Sequence, residues 1–127
     1  MKTLPILCML IIESCNNILQ IDDSIQSFIP GTYVKYLEGE YSIGHDTLII
    51  TKSGKQANTY IIDRHLSYQR IIEHKLRPAE YKTEQWIAIY NPNDKVLYEQ
   101  KQGTIISFLP EKNMLLLGSS DYKKLNK

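Results

Sequence analysis

Arg64 and Arg70 stand out chemically from the residues around them. Between positions 60 and 72 every second residue reads Tyr60, Ile62, Arg64, Leu66, Tyr68, Arg70 and Ile72. A β-strand sends alternate side chains to one face, so two guanidinium groups share a mostly apolar face with two tyrosines. An unpaired charge on such a face is too costly to persist. Two chemistries satisfy it. In one, the arginines hold the carboxylate or phosphate of a small ligand in a cavity lined by Tyr60, Tyr68 and Trp86. In the other, a bend carries them to a rim, or Glu38, Glu40 or Glu84 pairs with them and they are purely structural.

Other reactive arrangements are sparse. His45, His65 and His74 are the three histidines, and no two have the helical spacing of a metal pair, so no metal site is expected. His45-Asp46 reads as part of a hairpin turn, where Asp commonly caps its own backbone. Glu38 and Glu40 could share a strand face as paired carboxylates, but such neighbours are ordinarily a solvated face. There is no G-x-S-x-G elbow and no glycine-rich phosphate loop, Ser53-Gly54-Lys55 being only a turn. The expectation is a protein that is not an enzyme and carries no cofactor. The stretch 77–85, with Tyr81 and then Trp86, reads as an exposed contact loop.

The chain has 127 residues, one domain's worth, with 15 Lys+Arg against 14 Asp+Glu. That balance carries no basic block for nucleic acid. The two cysteines, Cys8 and Cys15, both lie near the start, which rules out a disulfide framework. Met1-Lys2-Thr3 is positive, 4–12 is almost wholly apolar, and small Ser14 precedes Cys15. That order describes an export signal. The apolar run is far short of the roughly 20 residues of a membrane-spanning helix. Ile12-Glu13-Ser14-Cys15 resembles the lipobox of bacterial lipoproteins. Ile12 and Ser14 fit it, while Glu13 stands where small or apolar residues are usual. The resemblance implies that Cys15 becomes an acylated N-terminus and anchors the chain to a membrane of the cell envelope. The other reading of this region is an N-terminal helix with two buried thiols. The division expected is a signal over 1–14, the acylated Cys15 and a tether over 15–28, and a β domain over 29–127.

The elements that would position the arginines are strands. Turn residues recur at Pro30-Gly31, 42–46, 52–55, 91–94, Gln102-Gly103, 110–113 and 118–120, and the runs between them are rich in Tyr, Ile, Val, Thr and Leu. Nine Tyr against two Phe suit half-buried strands whose hydroxyls reach water. The pattern predicts an antiparallel meander with strands over 32–41, 47–52, 58–73, 82–90, 95–100, 104–109, 114–117 and 121–125. The third run is long enough to predict a bend at His65-Leu66-Ser67, with 71–76 as an alternative short helix. So many strands in so short a chain must close or nearly close, since open edges invite aggregation. The fold class is all-β, a small barrel of about eight strands whose interior is either filled or holds one small ligand.

From Ile29 on, Pro30-Gly31-Thr32-Tyr33-Val34, the Gly44-His45-Asp46-Thr47 turn, Tyr81-Lys82 ahead of Trp86, and Leu117-Gly118-Ser119-Ser120-Asp121-Tyr122-Lys123-Lys124-Leu125 resemble a group of short lipoproteins of Bacteroidetes-type bacteria. The resemblance implies a small β domain behind a lipid anchor and names no activity. Gly31-Thr32-Tyr33 and the meander are also similar to the calycin barrels, lipocalins and their relatives, which usually carry Trp where Tyr33 stands. The expected function is a membrane-anchored interaction or assembly module with an envelope protein as partner. A calycin-like carrier of a small apolar or anionic ligand is the alternative, and an inhibitor of an envelope enzyme is a third.

Overall fold

The computed structural model describes residues 23–126. A short helix, α1 (Ser24–Phe28), leads into β1 (Gly31–Glu38), β2 (Ser42–Lys52), β3 (Thr59–Ile72), β4 (Lys75–Leu76), β5 (Glu80–Asn91), β6 (Val96–Glu99) and β7 (Ile105–Leu109). A single 3-10 turn, Pro110–Lys112, then precedes β8 (Met114–Leu117) and β9 (Ser120–Lys124). All pairings are antiparallel, from β1–β2 and β2–β3 through β3–β5 to β8–β9, and β9 returns to β1. The result is a closed eight-stranded up-and-down barrel, with β4 added on the end of β3. Among the described residues no helix is long and apolar enough to cross a membrane.

Alternation builds the core. Tyr33, Leu48, Ile50, Tyr60, Ile62, Trp86, Ala88, Tyr90, Leu97, Ile106, Phe108, Leu115 and Tyr122 are all buried inside. Five of these are tyrosine or tryptophan, so large rings occupy the barrel axis. The even face of β3 points inward, as its pattern requires. The strand itself runs unbroken from Thr59 to Ile72, without the bend expected at His65-Leu66-Ser67. Its tip is a tight hairpin, not a helix. Glu73 and His74 both take left-handed φ values, 54° and 64°, as a two-residue turn that follows the sheet's twist requires.

The expected turn at 42–46 is instead the start of β2, and the chain reverses over 39–41. Gly44 drew the turn reading, but the glycine serves a different need. A Cβ there would lie 2.1 Å from the Ser67 carbonyl oxygen and 2.6 Å from the Tyr68 Cα. Only glycine lets β2 and β3 approach that closely.

The barrel has two unlike ends. At one, α1 packs across the opening. Asp23 caps it, its Oδ1 accepting from the Ile25 and Gln26 N–H groups, as an N-cap carboxylate does. Ile29 is fully buried, and Ile25 and Phe28 pack against the core. The folded body therefore takes in Asp23–Phe28, the last part of the stretch that the sequence reads as tether. At the other end β6 stops at Glu99 and β7 begins at Ile105, while β1, β2, β3 and β5 run on. Four strands overhang the short side of the barrel there.

Candidate functional site: the open end of the barrel

The overhang presents its inner face to solvent. Strand register sets that face in rows: Lys35 opposite Asp46, Asp46 opposite Leu66, and Leu66 opposite Lys82. The row below joins Leu48 to Arg64 and Arg64 to Glu84, and the row above joins Gly44 to Tyr68 and Tyr68 to Glu80. The mouth therefore carries both signs of charge, closely interspersed.

Arg64 lies at the base of this face. Its Nε and Nη2 donate to Asp46, the Nη2–Oδ2 distance being 2.6 Å. The Tyr122 hydroxyl donates to the same Oδ2 at 2.6 Å. Asp46 is 3% exposed, so this two-point contact and the phenol satisfy a carboxylate that water barely reaches. The guanidinium also lies 5.3 Å from the centroid of the Trp86 ring, within cation–π range. Trp86 Nε1 in turn donates to Glu84. The Asp46 hydrogen bonds hold Arg64 charged against the burial that opposes it. Burial, and then the bond to Asp46, push the Tyr122 hydroxyl well above its ordinary range, so it stays a donor.

Arg70 is at the rim. Its Nε contacts Glu80 Oε2 at 2.8 Å, and the Tyr68 hydroxyl donates to Glu80 Oε1. The partners of the two arginines are thus Asp46 and Glu80. Glu84 lies beside Arg64 in the register but bonds Trp86, Glu38 ends β1, and Glu40 is in the turn after it. Sequence reasoning missed Asp46 because it placed that residue in a turn. The usable signal was the period of two through Asp46, Leu48 and Ile50.

The other residues expected to line a ligand site are dispersed. Tyr60 is 1% exposed in the core, level with Ala88 and on the helix side of Trp86. Trp86 is the floor of the mouth. The expected contact loop at 77–85 is mostly the first half of β5. Cys15 lies outside the described residues. His45 and His65 stand exposed on the outer wall, and His74 is in the β3–β4 turn.

The outer wall at this end carries exposed apolar side chains. Tyr36 faces His45 across β1–β2, with ring centroids 6.4 Å apart. The same row continues through Ser67 to Tyr81. Tyr36, Tyr41 and Tyr81 are 67%, 76% and 75% exposed, and Ile72 and Leu76 flank the β3–β4 hairpin. A separate shallow groove near the helix end is lined by Pro30, Thr32, Ile49, Thr51 and Leu125.

Comparison with protein-family models, with curated proteins and with solved structures finds no match to this chain.

Proposed function

We propose that this chain is a non-enzymatic lipoprotein of the cell envelope, anchored through acylated Cys15 and acting as a protein-interaction or assembly module. The observation that carries the reading is the allocation of side chains in the barrel. Its interior is occupied by the chain's own rings, and Arg64 and Arg70 are engaged by Asp46 and Glu80. The groups a carrier would turn toward a ligand are already in use. Exposed Tyr36, Tyr41 and Tyr81 instead crowd one end, and tyrosine is the kind of residue enriched where proteins meet.

Topology supports an orientation. Seven residues separate Cys15 from Asp23, a reach of at most about 28 Å when fully extended. Asp23 is at the helix end, so an anchor on Cys15 keeps that end near the bilayer and leaves the tyrosine-bearing end free. The projecting β3–β4 hairpin, with Ile72 and Leu76 exposed, is also the kind of element an inhibitor would insert into an envelope enzyme.

The test has two arms on the full-length protein expressed in a bacterial envelope. Labelled palmitate should enter the wild type and not Cys15→Ala. Incorporation into Cys15→Ala, or none into the wild type, refutes the anchor. Native mass spectrometry of the protein released in mild detergent should show no noncovalent adduct of a few hundred daltons beyond the lipid carried by Cys15. A reproducible adduct of that size, lost in Arg64→Ala Arg70→Ala, would overturn the interaction module in favour of the carrier.

A further inference from the structure

The overhang leaves one strand edge bare. β5 pairs with β3 along 80–89, but with β6 only from Ala88 to Asn91, plus one bond from the Gln100 N–H to the Ile87 carbonyl. β6 ends there because the chain turns at once. Buried Glu99 accepts the N–H groups of Lys101 and Gln102 and fixes the turn. The parity of the free groups follows from the ladder. The Tyr90 N–H bonds Asn58 on the β3 side, so even residues of β5 face β3. The N–H and C=O groups of Tyr81, Thr83 and Gln85 therefore point the other way, and among the described residues nothing meets them. The matching bare edge on β1, where β9 pairs only Tyr33 and Val34, offers just Tyr36 and Glu38 in the same orientation.

Protected edges carry charges that repel a second strand. The charges on this one are self-complementary. The sequence is Glu80-Tyr81-Lys82-Thr83-Glu84-Gln85-Trp86. In an antiparallel pairing with an identical strand about Thr83, Lys82 stands opposite Glu84 of the second copy, and Glu84 opposite its Lys82. Thr83 meets Thr83, and Tyr81 meets Gln85. Opposite charges and Thr–Thr pairs are favourable across strands. Centring on Lys82 or Glu84 instead puts like charges face to face, at a penalty. Among the described residues Lys82 forms no ion pair of its own, and it is exposed.

We propose that the free β5 edge is a self-association surface, joining two copies of this chain in register about Thr83 into one continuous sheet. The hydrogen-bonded pairs are Tyr81 with Gln85, Thr83 with Thr83, and Gln85 with Tyr81, the residues whose backbone groups face outward. The two-fold axis points the barrels in opposite directions, with their open ends overlapped and their α1 helices at the far poles. This pairing stands on strand register and not on the lipid; two copies anchored through Cys15 in one bilayer form it by lying along the surface, each helix end within the reach of its tether.

Charge exchange tests it. Sedimentation velocity on the full chain in mild detergent should show a concentration-dependent dimer. Lys82→Glu and Glu84→Lys should each raise its Kd roughly tenfold, since each places like charges opposite one another twice. An equimolar mixture of the two variants should recover a dimer near wild-type strength. One copy then brings two carboxylates to the pairing and the other two ammonium groups, so both cross-strand pairs join opposite charges. That recovery cannot come from variants that fail to fold. Thr83→Cys should form an intermolecular disulfide on mild oxidation, since cross-strand Cα atoms in a hydrogen-bonded pair lie at bridgeable separation. Lys55→Cys, on an exposed helix-end loop, is the control for Cys8 and Cys15. A chain that stays monomeric, a mixture that does not recover, or Thr83→Cys bridging no better than Lys55→Cys would overturn the proposal. These outcomes are independent of palmitate incorporation, so this inference and the anchor fail separately.

Discussion

At the helix end, polar groups of the barrel are satisfied by the chain itself. The Tyr33 hydroxyl bonds the carbonyls of Phe28 and Ile29 at 2.9 Å each. The Lys124 ammonium donates to the Phe28 carbonyl and lies 4.1 Å from the centroid of the Phe28 ring. Burial lowers the Lys124 pKa, as expected for a cation beneath a lid. At the open end the equivalent face carries Lys82, Glu80 and Glu84, which are partly or wholly solvated, and strand edges stop short of partners. One end is built to be finished within the chain, and the other leaves backbone groups and aromatic rings for something else. Stability should therefore depend on the helix end and the core, and association on the overhang.

The largest effect that could break this contrast is at Tyr33. Its ring packs edge-on to Phe28 and Phe108, with centroids 6.0 and 6.2 Å away, and its hydroxyl holds the helix end. Tyr33→Ala should destabilise the fold by about 4 kcal/mol in urea unfolding, as large aromatic truncations do. Tyr36→Ala, on the outer wall, should change stability little. Similar losses at the two tyrosines would dissolve the distinction between the ends.

Arg64 comes next, because it sits where the two regions meet. Removing it leaves Asp46 buried with only the Tyr122 hydroxyl for company. Arg64→Ala should cost about 2 kcal/mol of unfolding free energy, less than a fully buried broken pair because Arg64 is itself partly solvated. Asp46→Asn Arg64→Met, which removes both charges, should recover part of that loss. An Arg64→Ala protein as stable as the wild type would mean that the mouth is as wet as the rim.

Much of this was legible in the sequence, and the reasons differ by region. Runs of Tyr, Ile and Val between turn residues gave the eight strands of the barrel, because in a meander each strand pairs with its sequence neighbour. The alternation from Tyr60 to Ile72 placed Arg64 and Arg70 on the inner face. Their partners were not readable. Asp46 follows Gly44 closely, and a glycine needed for close backbone approach looks the same in sequence as one needed for a turn. Asp23-Ser24 is an ordinary helix start, yet nothing local says that the helix will seal a barrel, since its contacts with Tyr90 and Phe108 lie far along the chain. The bare β5 edge depends on where β6 stops. That is fixed by Glu99 folding back on Lys101 and Gln102, a geometry with no periodic signature.

Asp23 offers the finest division between the ends, since its charge acts only at the helix end. Burial works to raise its pKa, but the Tyr90 hydroxyl at 2.7 Å, the Gln26 N–H and Lys95 at 3.5 Å outweigh it, and the carboxyl is held below its ordinary value of 3.8. A carboxyl with a lower pKa in the folded than in the unfolded state binds fewer protons when folded, so stability rises with pH across that interval. The contribution is complete above 3.8 and is lost as pH falls through the lower, folded value. Asn caps helices as well as Asp does, so Asp23→Asn keeps the cap, removes the charge and puts an amide N–H where Oδ2 accepts the Tyr90 hydroxyl. The variant should be less stable than wild type by roughly 0.5 kcal/mol at neutral pH, the scale of partly exposed charge interactions. The gap should close as urea titrations move into acid. Dimer strength at neutral pH should be unchanged, because the overhang does not touch Asp23. A gap that stays constant with pH would assign the loss to the Tyr90 hydrogen bond and not to the charge, no gap at all would mean that the cap alone fixes the helix, and a weakened dimer would mean that the two ends are coupled through the barrel.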